Sequence, residues 1–354
     1  MVGFVPNLDS CGPVLHRWPR LVRSIVCIAF AALALLPGFA SAQPAATTPT
    51  LLWRHQYDVN YLWLMNVDKA TPVGLPPVSG SNWVVGGMGD FDGNGTRDII
   101  WHEKTTGAVY AWYMNGTNVQ SIVGLGGVET GGVGSGWTLE AVADLDGDGV
   151  PDLLWRHSVI GAVYAWYFKN DGTHTVVGLG FMDPAQYRFV GVGQFGVDKY
   201  GPNPAAKLTG IVWSNDDPSA GFYQGQCAIW LYTGRTFLFS NSLGPLGGML
   251  AQTVADFDGD GISDVLWTKT SIGANTVFYL TDYGYAEYGQ AVPYTPLGYV
   301  PAATADFNGD GMTDLVFFNA GSGYALQWLM TGRGNIPVSN SLGNVGTTWF
   351  LPPQ

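Results

Sequence analysis

The stretch Asp144-Leu-Asp-Gly-Asp-Gly-Val-Pro-Asp-Leu-Leu-Trp-Arg156 joins a nine-residue acidic loop to a short apolar strand. The loop recurs as Asp90-Phe-Asp-Gly-Asn-Gly-Thr-Arg-Asp98, Asp256-Phe-Asp-Gly-Asp-Gly-Ile-Ser-Asp264 and Asp306-Phe-Asn-Gly-Asp-Gly-Met-Thr-Asp314. Side-chain oxygens at positions 1, 3, 5 and 9, with a main-chain carbonyl at position 7, can surround a hard cation. Ca²⁺ takes six to eight oxygens in a flexible shell, and the two glycines permit the tight turn between ligands. The candidate ligands are Asp90, Asp92, Asn94, Thr96 and Asp98; Asp144, Asp146, Asp148, Val150 and Asp152; Asp256, Asp258, Asp260, Ile262 and Asp264; and Asp306, Asn308, Asp310, Met312 and Asp314. Thr96, Val150, Ile262 and Met312 would each serve through the carbonyl. About four Ca²⁺ sites are expected. An EF-hand begins alike but needs a Glu at position 12 and flanking helices. Position 12 here is Trp101, Trp155, Trp267 and Phe317, inside segments that read as strands.

Working outward, the aromatics repeat with the loops. One series follows the loop position: Trp53, Trp101, Trp155, Trp213, Trp267 and Phe317, spaced 48 to 58 residues apart. A second lies farther on, at Trp63, Trp112, Trp166, Trp230, Phe278 and Trp328. A third precedes each loop, at Trp83, Trp137, Tyr187, Met249 and Tyr299, with Trp349 in the matching place near the C-terminus. These markers define four short strands per unit, A to D, with Gly-, Asn- and Asp-rich turns between them. Units of this size repeated around an axis describe an all-β protein, a β-propeller. The first unit lacks strand A, and a lone strand A surrounds Trp349. The expectation is therefore six four-stranded blades, closed by pairing the C-terminal strand with the first blade. Aromatics recurring at one register are expected to pack blade on blade. The fourth unit has lost its loop: Gln194-Phe-Gly196 stands where Asp-x-Asp should be, followed by Asp198 and Lys199.

Arg17, Arg20 and Arg23 precede an apolar run from Ile25 to Leu36 and the small-residue site Ala40-Ser41-Ala42. This reads as a secretory signal peptide over 1–42, then a short linker over 43–50 and the propeller over 51–354. The apolar run is too short for a membrane span, and no other segment could supply one, so no transmembrane segment is expected after cleavage. The address is secreted or extracytoplasmic, in a periplasm or at a cell surface. Cys11 and Cys27 lie in the leader, which leaves Cys227 alone and no internal disulfide. Metal is then the natural staple for an exported chain. The formal net charge is −12, and the four loops hold fourteen of the Asp residues. That acidity argues against a nucleic-acid partner, which needs a basic footprint.

The run Asp-Leu-Asp-Gly-Asp-Gly-x-x-Asp-Leu-Leu-Trp-Arg, with the later Gly-x-Val-x-x-Trp, resembles the FG-GAP/VCBS-like repeat family over roughly residues 51–350. The resemblance implies an exported propeller with Ca²⁺ in its A–B loops. It implies no single activity, since such repeats serve in adhesion, as lectins or beside enzymes. The Gly-Ala-Pro element of integrin repeats is absent, so integrin-type recognition does not carry over.

Catalytic signatures are sparse. His102-Glu103 is not part of a His-Glu-x-x-His pair, and neither a Gly-x-Ser-x-Gly nor a phosphate loop occurs. Cys227 reads as a small buried residue. The leading expectation is a monomeric binding or adhesion module for a glycan or protein ligand. The alternatives are a polysaccharide-active hydrolase or lyase, or a purely structural surface protein. Strand direction places the acidic loops on one face. Arg54, His55, His102, Glu103, Lys104, Arg156, His157, Asp216, Asp217 and Lys269 gather on the other, where a mixed-charge ring would suit a partner.

Overall fold

The computed structural model describes residues 49–80, 82–127 and 136–352. The predicted leader and most of the linker, residues 1–48, lie outside them. No helix among the described residues is long and apolar enough to cross a membrane.

Twenty-four strands form six antiparallel four-stranded sheets. Blade 1 holds β1 (Thr50–His55), β2 (Asn60–Asn66) and β3 (Lys69–Leu75). Blade 2 is β4 (Trp83–Gly89), β5 (Asp98–Glu103), β6 (Ala108–Asn115) and β7 (Asn118–Gly127). Blade 3 is β8 (Trp137–Ala143), β9 (Asp152–His157), β10 (Ala162–Phe168) and β11 (His174–Phe181). Blade 4 is β12 (Tyr187–Val197), β13 (Lys207–Asn215), β14 (Cys227–Thr233) and β15 (Thr236–Leu243). Blade 5 is β16 (Leu250–Ala255), β17 (Asp264–Lys269), β18 (Ala274–Thr281) and β19 (Tyr285–Val292). Blade 6 is β20 (Val300–Ala305), β21 (Asp314–Asn319), β22 (Tyr324–Leu329) and β23 (Val338–Asn344). The last strand, β24 (Trp349–Phe350), pairs with β1 through Arg54–Phe350 and His55–Trp349 and supplies strand A of blade 1. The ring therefore closes as the repeat register predicts, and blade 1 keeps no free inner edge.

The A strands surround the axis and line a channel of about 280 Å³. Each of the five complete A strands carries a bulge at the same place. The extra residues are Gly86, Glu140, Val190, Gln252 and Ala302, and all five line the channel. A bulge bends its strand and redirects one side chain, which here brings five strands together around a narrow axis. Blade 2 meets blade 3 so closely that a Cβ on Gly86 would lie 2.1 Å from Leu139 Cδ2.

Trp53, Trp101, Trp155, Trp213, Trp267 and Phe317 are all fully buried, which puts the first aromatic series in the cores between blades. At four of the six places the residue after the aromatic reaches toward the next blade. Arg54 lies 4.9 Å over Trp101, and Arg156 lies 5.1 Å over Trp213. His102 meets Trp155 edge-on at 4.9 Å, and Phe318 meets Trp53 at 5.3 Å, which carries the pattern across the closure. At Ser214 and Thr268 the same place holds a buried hydroxyl side chain.

This stacking corrects the expected ring of free polar groups. Arg54 is buried and donates to Asn60 Oδ1, Asp58 Oδ1 and the Val78 carbonyl. His102 is buried too, and desolvation lowers its pKa to about 4. Glu103 accepts from Thr105 and Thr106, closing its own turn. Arg156 donates from Nε to Glu140 Oε1 at 2.7 Å and to the Tyr187 carbonyl, joining blade 3 to blade 4. The Arg156 and Glu140 side chains are each 12 % exposed. Arg156→Ala is expected to cost about 2–3 kcal/mol, below the 3–5 kcal/mol of a fully buried pair that loses one partner. Chemical denaturation reads this directly, and a change under about 0.5 kcal/mol would refute a role for the pair.

Candidate functional site

Each acidic loop connects strand A to strand B, and its ninth residue is the first of strand B. Asp98, Asp152, Asp264 and Asp314 are fully buried there. One oxygen of each accepts the N–H of loop position 2: Phe91, Leu145, Phe257 and Phe307, at 2.8 to 3.0 Å. The other accepts an N–H at the end of strand C: Met114, Phe168, Leu280 and Met330, at 2.7 to 2.9 Å. Position 9 thus ties the loop to its own blade. Position 1 accepts the N–H of the glycine at position 6 in all four loops. Position 3 accepts from position 5, and position 5 accepts from Thr96, Val150, Ile262 or Met312 at position 7. These turns need left-handed backbone at positions 4 and 6, where the glycines have φ of +71° to +89°.

The loops draw carboxylates together. Asp90, Asp92 and Asp98 bring ligand atoms within 4.8 Å of one another, as do Asp144, Asp146 and Asp152, and Asp256, Asp258 and Asp260. Asp148 and Asp264 stand outside their loops' groups, and the loop at 306–314, with Asn308 at position 3, gathers no such triad among the described residues. Packing carboxylates this closely is costly. Burial, opposed by the main-chain hydrogen bonds and reinforced by the neighbouring Asp, pushes Asp98 and Asp314 up to about 6, Asp152 to about 7 and Asp264 to about 8. Hard oxygen donors converging without enough positive charge are the chemistry that suits a divalent cation.

Positive charge does arrive at two loops, from turns the sequence reading passed over. In blade 4 the C–D turn holds Thr233-Gly-Arg235, and in blade 6 the same turn holds Thr331-Gly-Arg333. Arg235 donates from Nε to Asp146 Oδ2 at 2.7 Å and lies 4.4 Å over Tyr167 of blade 3. Arg333 bonds Asp258 and Glu287, donates to Asp260 Oδ2 at 2.8 Å and lies 5.4 Å over Tyr279 of blade 5. The repeated Thr-Gly-Arg was the signal that could have found them. Between blades 4 and 5 the polarity reverses. Lys199, in the degenerate A–B connection, pairs with Asp282 in the next C–D turn. Where the acidic loop is lost, a lysine stands at the corner, and the connection keeps a latch to its neighbour. This gives the fourth unit a structural job.

The opposite face carries aromatic side chains. Trp349 and Tyr61 in blade 1, Trp83 and Tyr110 in blade 2, and Trp137 and Tyr164 in blade 3 form the same edge-to-face pair, 5.4 to 5.6 Å between centroids. Tyr110 and Tyr164 are 39 % and 37 % exposed. Each tyrosine faces a tryptophan on strand B and a glycine on strand D, namely Gly74, Gly124 and Gly178, so no side chain directly opposite on strand D covers it. The blade 1 pair borders a groove of about 480 Å³ with Trp63 and Asn344, and the blade 2 pair borders one of about 290 Å³ with Trp112 and Ile122. His55 and His157 pack on Trp349 and Trp137, and each uses Nδ1 to accept a main-chain N–H, a structural role. Cys227 is buried, and desolvation pushes its thiol up, away from nucleophile chemistry.

No curated protein matches the sequence. Among solved structures, a chain from the "Crystal structure of Nidogen/Laminin Complex" is similar, at 12% identity and a TM-score of 0.46, covering 79% of this chain and 89% of that one. The FG-GAP-like repeat family matches residues 90–155 and 256–317, each running from the first aspartate of one acidic loop to the strand B aromatic of the following unit. The described residues form a six-bladed β-propeller in which the segments 90–155 and 256–317 are FG-GAP-like repeats.

Proposed function

We propose that the protein is an exported, calcium-stabilised binding module, with Ca²⁺ in the A–B loops and a glycan or protein ligand on the opposite face. The observation that carries this reading is the division of labour between the faces. One face gathers carboxylates into three triads, two of them tied to the neighbouring blade. The other leaves three equivalent Trp–Tyr pairs half-exposed, with grooves beside two of them. Aromatic side chains that combine an apolar face with a polar tip are frequent anchors at binding surfaces. The two grooves are at or near the size range of small-ligand sites.

In this reading Asp90, Asp92, Asp98 and their counterparts hold the ion, and the ion neutralises carboxylates that burial otherwise penalises. The ligand face stays rigid because the loops staple the blades from behind. The test is a glycan array and a protein pull-down on the chain from residue 47 onward, alongside Trp83→Ala and Tyr110→Ala. Binding that falls at least tenfold in both variants, with unchanged melting temperature, supports the assignment. Negative results in both formats with folded, calcium-loaded protein would leave a structural surface protein as the better reading.

A further inference from the structure

The four acidic loops share one backbone design, with four aspartates each at 144–152 and 256–264 and three each at 90–98 and 306–314, but not one environment. Those of blades 3 and 5 each meet an arginine from the next blade; those of blades 2 and 6 meet none among the described residues. The difference is written in the C–D turns that face them. Blades 4 and 6 present Arg235 and Arg333, each ion-paired to the loop it faces, whereas the turns of blades 3 and 1 hold Lys169 with Asp171 and Asp68 beside Lys69, and neither lysine pairs with an acidic loop among the described residues. The arginines do not merely sit nearby. Arg235 bonds Asp146, one of the three carboxylates gathered in its loop, and Arg333 bonds both Asp258 and Asp260, two of the three in its own.

We infer that Arg235 and Arg333 divide the propeller's cation sites into two classes, open sites at 90–98 and 306–314 and guarded sites at 144–152 and 256–264. This rests on the calcium reading above. At a guarded site a divalent cation and a guanidinium must share the same carboxylates. Asp146 and Asp258 are nearly buried, with side chains 8 % and 5 % exposed, so their surroundings screen the two cations from each other poorly. Each positive charge therefore weakens the hold of the other. Stacking on Tyr167 and Tyr279, and further bonds to Thr175 and Glu287, hold the guanidinium in place, so it does not simply swing aside. Arg333 holds two ligands of its loop and Arg235 one, so the site at 256–264 is the weaker of the guarded pair. Linkage is reciprocal: calcium entering a guarded loop loosens the arginine latch by the same factor as the arginine weakens calcium. Low calcium fills the open sites and leaves the latches between blades 3 and 4 and between blades 5 and 6 closed. High calcium exchanges those latches for bound ions.

The experiment is calorimetric titration of calcium chloride into the chain from residue 47 onward, in wild type, Arg235→Gln, Arg333→Gln and the double variant. Glutamine keeps part of the stem and removes the charge. The expected wild-type isotherm has two affinity classes separated by at least tenfold. Each single variant should tighten one site of the weak class at least tenfold, and the double variant should leave no site in the weak class. Arg235→Lys, which retains a positive charge, should stay with wild type. A second readout needs no variant. The Nε–H resonances of Arg235 and Arg333 should shift only as the weak class fills. Calcium binding in a single class in wild type, or arginine resonances that respond with the strong class, would overturn the inference and leave the calcium reading intact. No binding at any loop would overturn both.

Discussion

Removing calcium is expected to lower the melting temperature by on the order of 10 °C or more. A ligand that binds only the folded state stabilises it by about 2.7 kcal/mol per site at a hundredfold excess over Kd. Several occupied loops would together contribute roughly 5–10 kcal/mol on that scale. For a domain of about 300 residues, with an unfolding entropy of about 2.1 cal/mol/K per residue, about 1 kcal/mol moves the midpoint by roughly 1.5 °C. Calorimetry with calcium and with EDTA reads the difference, and elemental analysis counts the ions. An unchanged melting curve with no bound calcium would remove the loops from the list of cation sites.

The same experiment has a signed pH dependence. Asp98, Asp152, Asp264 and Asp314 have folded-state pKa values of about 6 to 8, raised first by burial. The unfolded value is about 3.9. Between those limits the folded chain without metal binds more protons than the unfolded one, so its stability falls as pH rises from about 4 toward 8. With calcium bound the carboxylates are held ionised, and protons compete with the metal, so stability falls as pH drops. His102 contributes the opposite slope, since its lowered pKa costs stability as pH falls from about 6.5 toward 4. That contribution is common to both states. The stabilisation by calcium, taken as the difference between the two curves, should therefore grow steadily from pH 5 to pH 8. A difference that is flat with pH would show that the buried carboxylates do not sense the ion.

Trp155→Ala is expected to cost about 3–5 kcal/mol, the range for removing a large aromatic from a packed core. Trp155 is fully buried, packs on Trp166 and receives the edge of His102 from blade 2. Its loss opens a cavity at the junction of two blades instead of inside one sheet. The variant should also release His102, whose ring nitrogen Nε2 has no hydrogen-bond partner. Water entering the cavity would let that imidazole titrate closer to 6.5, which NMR can follow. Trp83→Ala, on the half-exposed second face, should cost clearly less. Equal losses in the two variants would contradict the assignment of one aromatic series to the core and the other to a surface.

The acidic loops and the three aromatic series were legible because they recur. Repetition fixed the strand register, the blade count and the closing partner of β1, since each rests on where Trp and Asp fall along the chain. The environment of individual charges was not legible. Arg54, His102 and Arg156 sit one residue beyond a buried aromatic on strand B, and a turn-facing position looked exposed. Whether such a side chain meets solvent or a neighbouring tryptophan depends on how blades stack, which one unit's sequence does not encode. The arginine latches were hidden for a related reason. Arg235 lies 89 residues from Asp146, and Arg333 lies 75 from Asp258. Only the ring brings a C–D turn against the A–B loop of the preceding blade.

The reach of strand B toward the next blade's aromatic, made at four of the six seams, has an evolutionary corollary. Repeat architectures invite duplication, deletion and exchange of whole units. At those seams the reaching residue is an arginine twice, a histidine once and a phenylalanine once, while the receiving ring is a tryptophan every time. A unit moved among those places would still meet a tryptophan at its seam. The tryptophan acts as a common socket, so the residue that reaches into it is free to vary without changing how one unit fits the next.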